Sequence, residues 1–416
     1  MKRTLTRRIG EIEPYDLLVG IDLGKSVNVA VMVNQRQKQY GRFRFGHDRG
    51  EYERLKGWLR QNRAGMKKPQ VLVGMEPTND YWQWLASYLE QEGVPYRLVN
   101  PFTVKKTREG SRLDYAKDDN RDGETIAQLL GQGQFTETQL PAANYLELRH
   151  YEQARWQQSQ ALRRSKTILR QQVERLFPEL RHIFSSFEGK TVRALLQNHA
   201  DPHTIKRLSW DDFVAGVRQD FSGKRLTIKM LRTVYEQAGQ SIGIQPGRAL
   251  QQLIRQQLAL LALQREQLEQ LEAKLVACLH SLPIAPYLLS IGLGAVTSAL
   301  IIAELGDLNR FTSAKQLVKL AGIQPTPNQS GHYQRHKTPM SRKGRVRLRT
   351  YLFFATLRLI RWDAAFAAQQ RRLTQRAHKP LTKGEAVGAL MNKLLHLLWA
   401  LCRQQIPYSP DRFAPN

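Results

Sequence analysis

The sequence contains few cysteines, few acidic residues and no long apolar segment. Its 416 residues include two cysteines, Cys278 and Cys402, which lie far apart in the chain. Their number and spacing exclude a disulfide framework and a zinc site of the CxxC type. No apolar run approaches the roughly 20 residues that span a bilayer, and the basic N-terminus lacks the apolar stretch of a secretory signal. We therefore expect a soluble protein of the cytoplasm without a membrane partner.

The shortage of acidic residues leaves the chain with a large positive charge. Lysine and arginine number 64 against 36 aspartates and glutamates, so the net charge is +28. Solubility does not require such an excess, and the balance indicates a polyanionic partner, foremost nucleic acid, and hence association with the nucleoid. Hydrophobic residues make up 41% of the chain, which is enough for packed cores and excludes a wholly disordered protein.

The first part of the chain alternates between strand and helix patterns. Two apolar runs, Leu17 to Asp22 and Gln70 to Glu76, each end in a carboxylate. Strands are predicted at 17–22, 27–33, 41–45, 70–75 and 96–99, and helices at 52–61, 81–92 and 117–131. This order predicts an α/β domain with a mixed sheet over residues 15–140, preceded by a basic tail at 1–14.

Apolar residues recur every seven positions in two long segments rich in Gln, Arg and Leu. The positions are Leu162, Leu169 and Leu176 in the first segment and Ile254, Leu261, Leu268 and Leu275 in the second. This spacing predicts stalk helices at 141–177 and 247–280, of the kind that forms coiled coils and oligomer contacts. Residues 178–246 lie between them as an insertion whose role the sequence does not indicate.

A mostly helical last domain is predicted at 281–405, followed by a tail at 406–416. Gly292 and Gly294 resemble the turn of a helix-hairpin-helix motif, whose backbone amides can hold phosphate. A loop marked by proline and glycine interrupts the helical pattern later in this domain.

Ser330 lies in that loop, within a strongly basic stretch. No Asp or Glu occurs from 308 to 362, and seven Lys or Arg residues fall within 331–349. Such a stretch attracts backbone phosphates, which would pass beside Ser330. A serine needs a base or a metal to become a nucleophile, and His332 and His336 are the local candidates for a base. An ordinary Ser-Gly turn on a phosphate-binding surface is the alternative interpretation.

Carboxylates follow two of the predicted strands and mark one helix. Asp22 and Glu76 stand at strand ends, where open α/β sheets collect their catalytic groups. Asp119 and Asp122 are three residues apart and share a helix face. Four carboxylates converging in this way would bind two Mg²⁺ ions, which stabilise the attacking and leaving oxygens of phosphoryl transfer.

Asp114 and Asp118 lie close to the helical pair and compete with it for this role. The helical register decides only weakly between the two pairs. Taken singly, each of these carboxylates is more often a helix cap or a solvated residue than a catalytic one.

Three segments resemble the DEDD motif of one insertion-sequence transposase family. They are the IDLGK segment around Asp22, the GMEPT segment around Glu76 and the KDDNRD segment that holds Asp119 and Asp122. In that family the helix motif usually reads Lys-Thr-Asp-x-x-Asp-Ala, whereas this chain has Asp118 and Gly123 in place of the threonine and the alanine. The spacing of the two aspartates is kept, which favours Asp119 and Asp122 over the competing pair.

The resemblance implies an N-terminal RuvC-like domain of the RNase H fold whose four carboxylates bind Mg²⁺. It also implies a C-terminal serine transposase domain, because the loop, Ser330-Gly331 and the helix start at Arg342-Lys343-Gly344 resemble that domain. In the family this serine is the nucleophile that becomes covalently linked to a DNA end, and a bridge RNA encoded by the element guides the reaction. The implied function is the excision and insertion of a mobile DNA element.

The expected partners are DNA (the element ends and the target), a guide RNA, and further copies of the chain in a dimer or tetramer. Basic residues near the candidate sites are the predicted nucleic-acid contacts: Lys105, Lys106, Arg108, Arg335, Lys337, Arg342, Lys343, Arg345, Arg347 and Arg349.

Two other functions stay open at this point. A RuvC-like nuclease or junction resolvase would use the carboxylates alone, and Ser330 would be merely structural. A nucleic-acid-binding scaffold would carry a degenerate first domain. The four carboxylates argue against the scaffold, and the isolated Ser-Gly with its basic flanks argues against the plain nuclease.

Overall fold

The computed structural model divides into two compact units, Met1–Leu140 and Pro141–Asn416. The structure describes residues 7–61, 70–77, 81–111, 119–136, 140–244, 248–326, 329–330, 333–334 and 339–413. The first unit contains a mixed α/β sheet, which confirms the sequence prediction, and the second is mostly helical. Among the described residues, no helix has both the length and the apolar character needed to cross a membrane.

A five-stranded sheet with the order β3-β2-β1-β4-β5 forms the centre of the first unit. The strands are β1 Leu17–Asp22, β2 Asn28–Asn34, β3 Gln39–Phe45, β4 Val71–Met75 and β5 Tyr96–Leu98. β2 pairs antiparallel with β1 and β3, whereas β4 runs parallel to β1 and to β5. β1 and β4 lie in the middle with both faces covered, which explains their almost uninterrupted apolar sequences.

Helices cover both faces of this sheet. They are α1 Arg49–Gln61, α2 Tyr81–Gln91, α3 Pro101–Ser111 and α4 Asp119–Gly131. α1 and α2 share a core with Val19 and Ile21 on one face. α4 shares a core with Leu18 and Val31 on the opposite face. Because successive residues of a strand point to opposite faces, odd and even positions of β1 contribute to different cores.

The sequence patterns missed α3. Pro101 occupies its first position, where the missing N–H would have had no partner in the helix. The Asn100 side chain caps this end by accepting a hydrogen bond from the Phe102 amide at 2.9 Å. The helix shows no clear apolar stripe, so only the Asn-Pro cap signal could have revealed it.

Backbone lies directly on backbone where α4 crosses β1. A methyl group on Gly20 would overlap the carbonyl oxygen of Gly123 and the amide nitrogen of Ala127. A methyl group on Gly123 would lie 3.1 Å from the Gly20 carbonyl oxygen and 3.0 Å from Val31 Cγ2. Glycine at both positions therefore allows an approach that any side chain would prevent.

Two long antiparallel helices frame the second unit. It starts with α5 Ala143–Leu176, passes through α6 Leu180–Ile183, α7 Lys190–Asn198, α8 Pro202–Ile205, α9 Trp210–Gln219 and α10 Ile228–Ala238, and returns along α11 Arg248–His280. Arg155 forms an ion pair with Glu272 at 2.6 Å, and Gln257 donates to the Ser165 carbonyl at 3.2 Å. Later residues of α5 thus meet earlier residues of α11, as antiparallel packing requires.

The heptad positions of α5 and α11 pack inside the same chain. Leu169 and Leu261 are buried in one core together with Phe213 and Val234 of the short helices. Leu275 is buried in the core of the C-terminal helices. A polar substitution at Leu261 would therefore destabilise the fold of the single chain. A change in association between copies of such a variant could not be attributed to a lost contact between chains.

The remaining helices enclose a second core, into which α5 and α11 also reach. The elements are α12 Ala285–Leu289, α13 Ala295–Leu305, a 3₁₀ turn Leu308–Arg310, α14 Ala314–Ala321, β6 Gln329–Ser330, β7 Tyr333–Gln334, α15 Val346–Trp362, α16 Ala364–Gln375, α17 Lys383–Gln404 and α18 Pro410–Phe413. α17 begins with a capping box, in which Thr382 and Glu385 satisfy each other's backbone amides.

A buried carboxylate joins α5 to α15. Glu152 is fully buried and accepts hydrogen bonds from Tyr351 Oη at 2.5 Å and from Arg347 Nη1 at 2.8 Å. Burial raises the pKa of Glu152, whereas the hydrogen bond from Tyr351 opposes the rise. Removing either donor would leave a buried acceptor without its partner, so the network fixes the two helices relative to each other.

The close contact between α4 and β1 should make Gly20 intolerant of a side chain. Gly20→Ala should lower the unfolding temperature by several degrees, because overpacking of this kind destabilises by about 1–3 kcal/mol or more. Gly57→Ala is the matched control, since Gly57 lies inside α1 with nothing within 4 Å of the added methyl group. Because alanine favours a helix over glycine, this control should be neutral or slightly stabilising. Thermal unfolding of both variants checks the pair, and equal unfolding temperatures would contradict the described contact.

Candidate active site

Asp22 and Glu76 lie next to each other at one edge of the sheet. Asp22 is the last residue of β1, and Glu76 directly follows Met75, the last residue of β4. The strands are parallel and pair Ile21 with Met75, so the next residue of each strand is a carboxylate. Neighbouring strands are about 4.8 Å apart, which brings the two backbones within reach of one bound ion. Both side chains are partly exposed.

Strand alternation assigns Asp22 to the face that α4 covers. Leu18 and Gly20, at the preceding even positions of β1, both lie against α4. On β4 a methyl group added to Gly74 would contact Ile126 and Leu130 of the same helix. Glu76 comes two positions after Gly74, so strand alternation predicts that its side chain lies on this same face.

The first turn of α4 lies at the same edge of the sheet. Gly123, near the start of the helix, packs on Gly20, whereas Gly131 at its end approaches Leu18. α4 therefore runs opposite to β1, and its N-terminus, which contains Asp119 and Asp122, lies at the carboxyl end of the strand. The structure thus brings three chain segments with predicted carboxylates to one edge. The side chain of Asp119 lies outside the described part of the structure.

Asp122 is buried and bound by an arginine. Arg108 Nη1 donates to both carboxylate oxygens of Asp122, at 3.0 and 3.2 Å, and Asp122 is only 7% exposed. Arg108 comes from α3, the helix that the sequence patterns missed. The guanidinium supplies the positive charge that a buried carboxylate needs.

The carboxylates fit a hard divalent cation by their chemistry. Mg²⁺ prefers carboxylate oxygens, and such an ion would be held by Asp22, Glu76 and the aspartates of α4. Among the described side chains, no three His, Cys, Asp or Glu converge closely enough to hold an ion. Asp122 would have to exchange Arg108 for the metal. A divalent cation would therefore compete with Arg108 for the same carboxylate.

Two arginines that the sequence patterns did not single out lie on the face of Asp22. Arg44 pairs with Val29, which pairs with Asp22, so the three residues form one row across the sheet. Arg42 occupies the corresponding row with Gly20. Both arginines are exposed, and neither guanidinium has a hydrogen-bond or ion-pair partner among the described residues. The alternation of arginine and phenylalanine in β3 was visible in the sequence, but only the strand register assigns these arginines to the face of Asp22.

Ser330 belongs to the second unit and lies on a hairpin. Its backbone is in β6, where it pairs with Tyr333 of β7. The ends of the same loop also pair, because Pro325 bridges to Met340 and the Ser341 amide donates to the Gln324 carbonyl at 2.9 Å. The structure describes the backbone of Ser330 and not its side chain.

Three arginines after this hairpin are bound within the second unit. Arg345 pairs with Glu304, and burial together with nearby Arg149 lowers its pKa to about 10. Arg347 binds Glu152 as described above, and Arg349 donates to backbone carbonyls at 3.0 and 3.1 Å. These guanidinium groups hold the loop and α15 in place.

The other basic positions differ in exposure. Arg342 and Lys343 are exposed at the end of the loop. On α3, Lys105 lies 3.8 Å from Glu109, and Lys106 lies 4.9 Å from the centre of the Phe102 ring. Several residues named from the sequence lie outside the described residues: Asp114, Asp118, His332, Arg335, His336 and Lys337.

The turn between α12 and α13 has the backbone that two glycines allow. Gly292 and Gly294 have φ values of +79° and +82°, and nothing lies within 4 Å of a methyl group added to either. Arg358 of α15 donates to the Gly292 carbonyl at 3.2 Å. Both glycines thus have open space around the position of a side chain, and one hydrogen bond connects the turn to α15.

Two family models match the chain. A model of the DEDD transposase of IS110-type elements matches residues 19–178, which contain all four candidate carboxylates. A second model, described as the transposase IS116/IS110/IS902 family, matches residues 286–371, which contain Ser330. The matches thus include parts of both units.

Several relatives share shorter or more distant similarity. The chain is 25% identical to the insertion element IS110 43.6 kDa protein of Streptomyces coelicolor over 243 residues, 58% of each chain. It is 31% identical to the pilin gene-inverting protein of Moraxella bovis over 117 residues, 28% of this chain and 36% of that protein. It is 23% identical to a probable family 20 transposase of Pseudomonas aeruginosa over 350 residues, 82% of this chain and 87% of the relative. The first two matches thus span little more than half and about a third of those relatives.

The segments that contain the four candidate carboxylates and the C-terminal segment that contains Ser330 are each matched by a model of this transposase family. The chain therefore belongs to the DEDD-type family of insertion-sequence transposases.

Proposed function

We propose that this protein excises and inserts a mobile DNA element by metal-dependent strand cleavage and rejoining. The observation that carries the proposal is the register of β1 and β4, which aligns Asp22 with Glu76 beside the first turn of α4. In this proposal the N-terminal domain at 15–140 is RNase H-like, which the sheet order 3-2-1-4-5 supports. The C-terminal domain at 281–405 contributes the serine.

The carboxylates would hold Mg²⁺, with two ions as the expected number. Asp22, Glu76, Asp119 and Asp122 are the proposed ligands. When bound, the ions supply positive charge to the attacking and leaving oxygens of the phosphate. Asp122 would then bind the metal in place of Arg108, and the guanidinium of Arg108 would be free to contact a nucleic-acid phosphate, the role predicted for this residue from the sequence.

Ser330 is the proposed nucleophile. Its hydroxyl oxygen forms a bond to the phosphorus of the DNA backbone, and the bond from phosphorus to the leaving sugar oxygen breaks. The proton of the serine passes to a base or to water, and the leaving oxygen takes up a proton. The phosphoserine ester keeps the energy of the broken phosphodiester, so a second sugar hydroxyl can rejoin the DNA without ATP.

The nucleic acid would contact several exposed basic residues of both units. Arg42 and Arg44 lie in rows with Gly20 and Asp22, and exposed residues of the second unit add Arg342 and Lys343. A net charge of +28 suits the binding of both DNA and a guide RNA. The family resemblance supports guidance by an RNA. We also propose that the protein assembles into a dimer or tetramer and is located at the nucleoid.

Neutralising the carboxylates should stop cleavage and spare binding. Asp22→Asn, Glu76→Gln and Asp122→Asn should each slow Mg²⁺-dependent cleavage of a plasmid with the element ends by at least about a hundredfold. The reason is that an amide keeps the shape of the side chain and removes the charge that attracts the ion. Glu13→Gln is the control, because Glu13 is exposed near the opposite end of β1. Normal cleavage by all three variants would contradict the metal site, provided DNA affinity is unchanged.

A covalent link to DNA should depend on Ser330. With labelled DNA and Mg²⁺, denaturing electrophoresis should reveal a protein-linked band for the natural chain and none for Ser330→Ala. Ser341→Ala is the matched control, since Ser341 lies in the same loop and should leave the band intact. Normal cleavage by Ser330→Ala without a linked band in either protein would favour a RuvC-like nuclease that uses water.

Arg42 and Arg44 should contribute to affinity through the phosphate backbone. Arg42→Ala with Arg44→Ala should weaken DNA binding and reduce the slope of log K against log salt by nearly one unit for each phosphate that the variant no longer neutralises. Arg36→Ala is the control, because Arg36 is exposed in the turn at the other end of β2 and β3. Fluorescence anisotropy at several salt concentrations measures both slopes. An unchanged slope in the double variant would exclude these residues from the interface.

A further inference from the structure

A cluster of aromatic rings lies near the carboxyl ends of β1 and β4, and the proposed chemistry does not use it. The ring of His47 lies 5.2 Å from that of Tyr81 and 5.6 Å from that of Trp84. Tyr81 and Trp84 are themselves 5.5 Å apart, so each ring contacts the other two. We call these three residues the aromatic cluster.

The aromatic cluster is connected to both strand ends that carry the carboxylates. His47 Nε2 lies 2.8 Å from the carbonyl oxygen of Gly24, two residues beyond Asp22. Tyr81 and Trp84 belong to the first turn of α2, which is the helix that follows β4 and Glu76. The cluster and the carboxylates thus lie at the same edge of the sheet.

The histidine of the cluster is held in one orientation. Because a carbonyl can only accept, Nε2 carries the hydrogen and donates it to Gly24. Nδ1 then accepts, and it lies 3.5 Å from Asn28 Nδ2 and 3.4 Å from the hydroxyl of Tyr52. Asn28 is fully buried, and its Nδ2 also donates to the Gly46 carbonyl at 3.2 Å. These contacts fix the ring against which Trp84 rests.

Trp84 presents its indole to solvent from this fixed support. It is 52% exposed, whereas Trp82 of the same helix is 8% exposed and belongs to the core. Val27, 52% exposed, and Lys25, also exposed, lie in the loop that contains Gly24. An exposed indole, together with an exposed lysine in the loop that His47 contacts, suits a ligand that has both a flat ring and a negative charge, which is the composition of a nucleotide.

We infer that the aromatic cluster is a stacking platform for an unpaired nucleobase of the strand whose phosphate reaches the carboxylates. The inference rests on the proposed function of that edge and adds a base contact to it. Trp84 stacks on the base, and His47 and Tyr81 keep the indole in position. Stacking on an aromatic side chain does not depend on base identity, so the platform would position the strand without selecting its sequence.

A thermodynamic cycle separates stacking from phosphate contacts. The two proteins are the natural chain and Trp84→Ala, and the two probes are oligodeoxythymidylate and an abasic oligonucleotide of the same length. Both probes have the same phosphates, so at one salt concentration they differ only in the bases. Affinity is measured by anisotropy in EDTA, where no cleavage takes place.

Trp84→Ala should weaken binding of oligodeoxythymidylate by roughly tenfold, because the variant loses the aromatic surface on which one base stacks. It should change binding of the abasic probe less than about twofold, and Trp84→Phe should restore most of the affinity for oligodeoxythymidylate. An equal loss for both probes, or no loss for either, would overturn the inference. Weaker binding of the abasic probe alone would also overturn the inference.

Two further arms complete the test. Trp362→Ala removes an indole of the second unit that is 72% exposed. This variant should change the affinities for the base-containing and the abasic probe equally. If Trp362→Ala weakened binding of the base-containing probe as selectively as Trp84→Ala does, any exposed indole would bind the probe, and the assignment would be overturned. Oligouridylate and its abasic form distinguish the source of the base: if only the RNA probes showed dependence on the bases, the base would belong to a guide strand, and the assignment to the cleaved strand would be overturned. Because binding is measured without metal, failed cleavage by the carboxylate variants and failed stacking remain separate results.

Discussion

The contact between the backbones of α4 and β1 determines where the first turn of α4, with Asp122, lies relative to Asp22 and Glu76. Gly20 and Gly123 allow the helix to lie directly on the strand, and this close approach fixes both its direction and its position along the sheet. The first turn of α4 therefore ends up beside the carboxyl ends of β1 and β4. A side chain at Gly20 would displace the helix, and with it Asp122, from this edge. Metal chemistry depends on such positions to within a fraction of an ångström.

Some arginines of this basic chain neutralise buried carboxylates. Arg108 binds Asp122, and Arg347 binds Glu152, at sites where an uncompensated negative charge would be strongly unfavourable. These arginines stabilise the protein itself, so the net charge of +28 does not map directly onto a nucleic-acid surface. Exposed arginines without partners among the described residues, such as Arg44, are better candidates for that surface. The distinction rests on burial and pairing, which residue type alone does not reveal.

The proposals assign different tasks to the two faces at the carboxylate edge. On the face of α4, Asp22 and Arg44 share one row of the sheet, which suits contacts to phosphates. On the face of α2, Tyr81 and Trp84 suit contacts to a base. A nucleotide has both kinds of group on opposite sides of its sugar. A strand that passes over this edge could therefore be held by charge on one side and by stacking on the other.

Local sequence was sufficient for the features that depend on one segment at a time. Apolar runs predicted β1 and β4, and the order of residues along the chain was enough to identify Asp22 and Glu76 at their ends. The heptad spacing predicted the two long helices α5 and α11. Periodicity succeeds here because it reports which residues share a face, and a strand or a long helix has a face of its own.

Only the tertiary structure decided what each face meets. The apolar face of α5 and α11 packs inside the same chain, although the same spacing also suits contact between copies. Arg42 and Arg44 share the face of Asp22 because β3 pairs with β2 in one register, and a shift by one residue would turn them to the other face. Arg108 meets Asp122 across helices α3 and α4, fourteen positions along the chain. Such pairings depend on the free energy of packing the whole unit, whereas local patterns record only the preference of each segment.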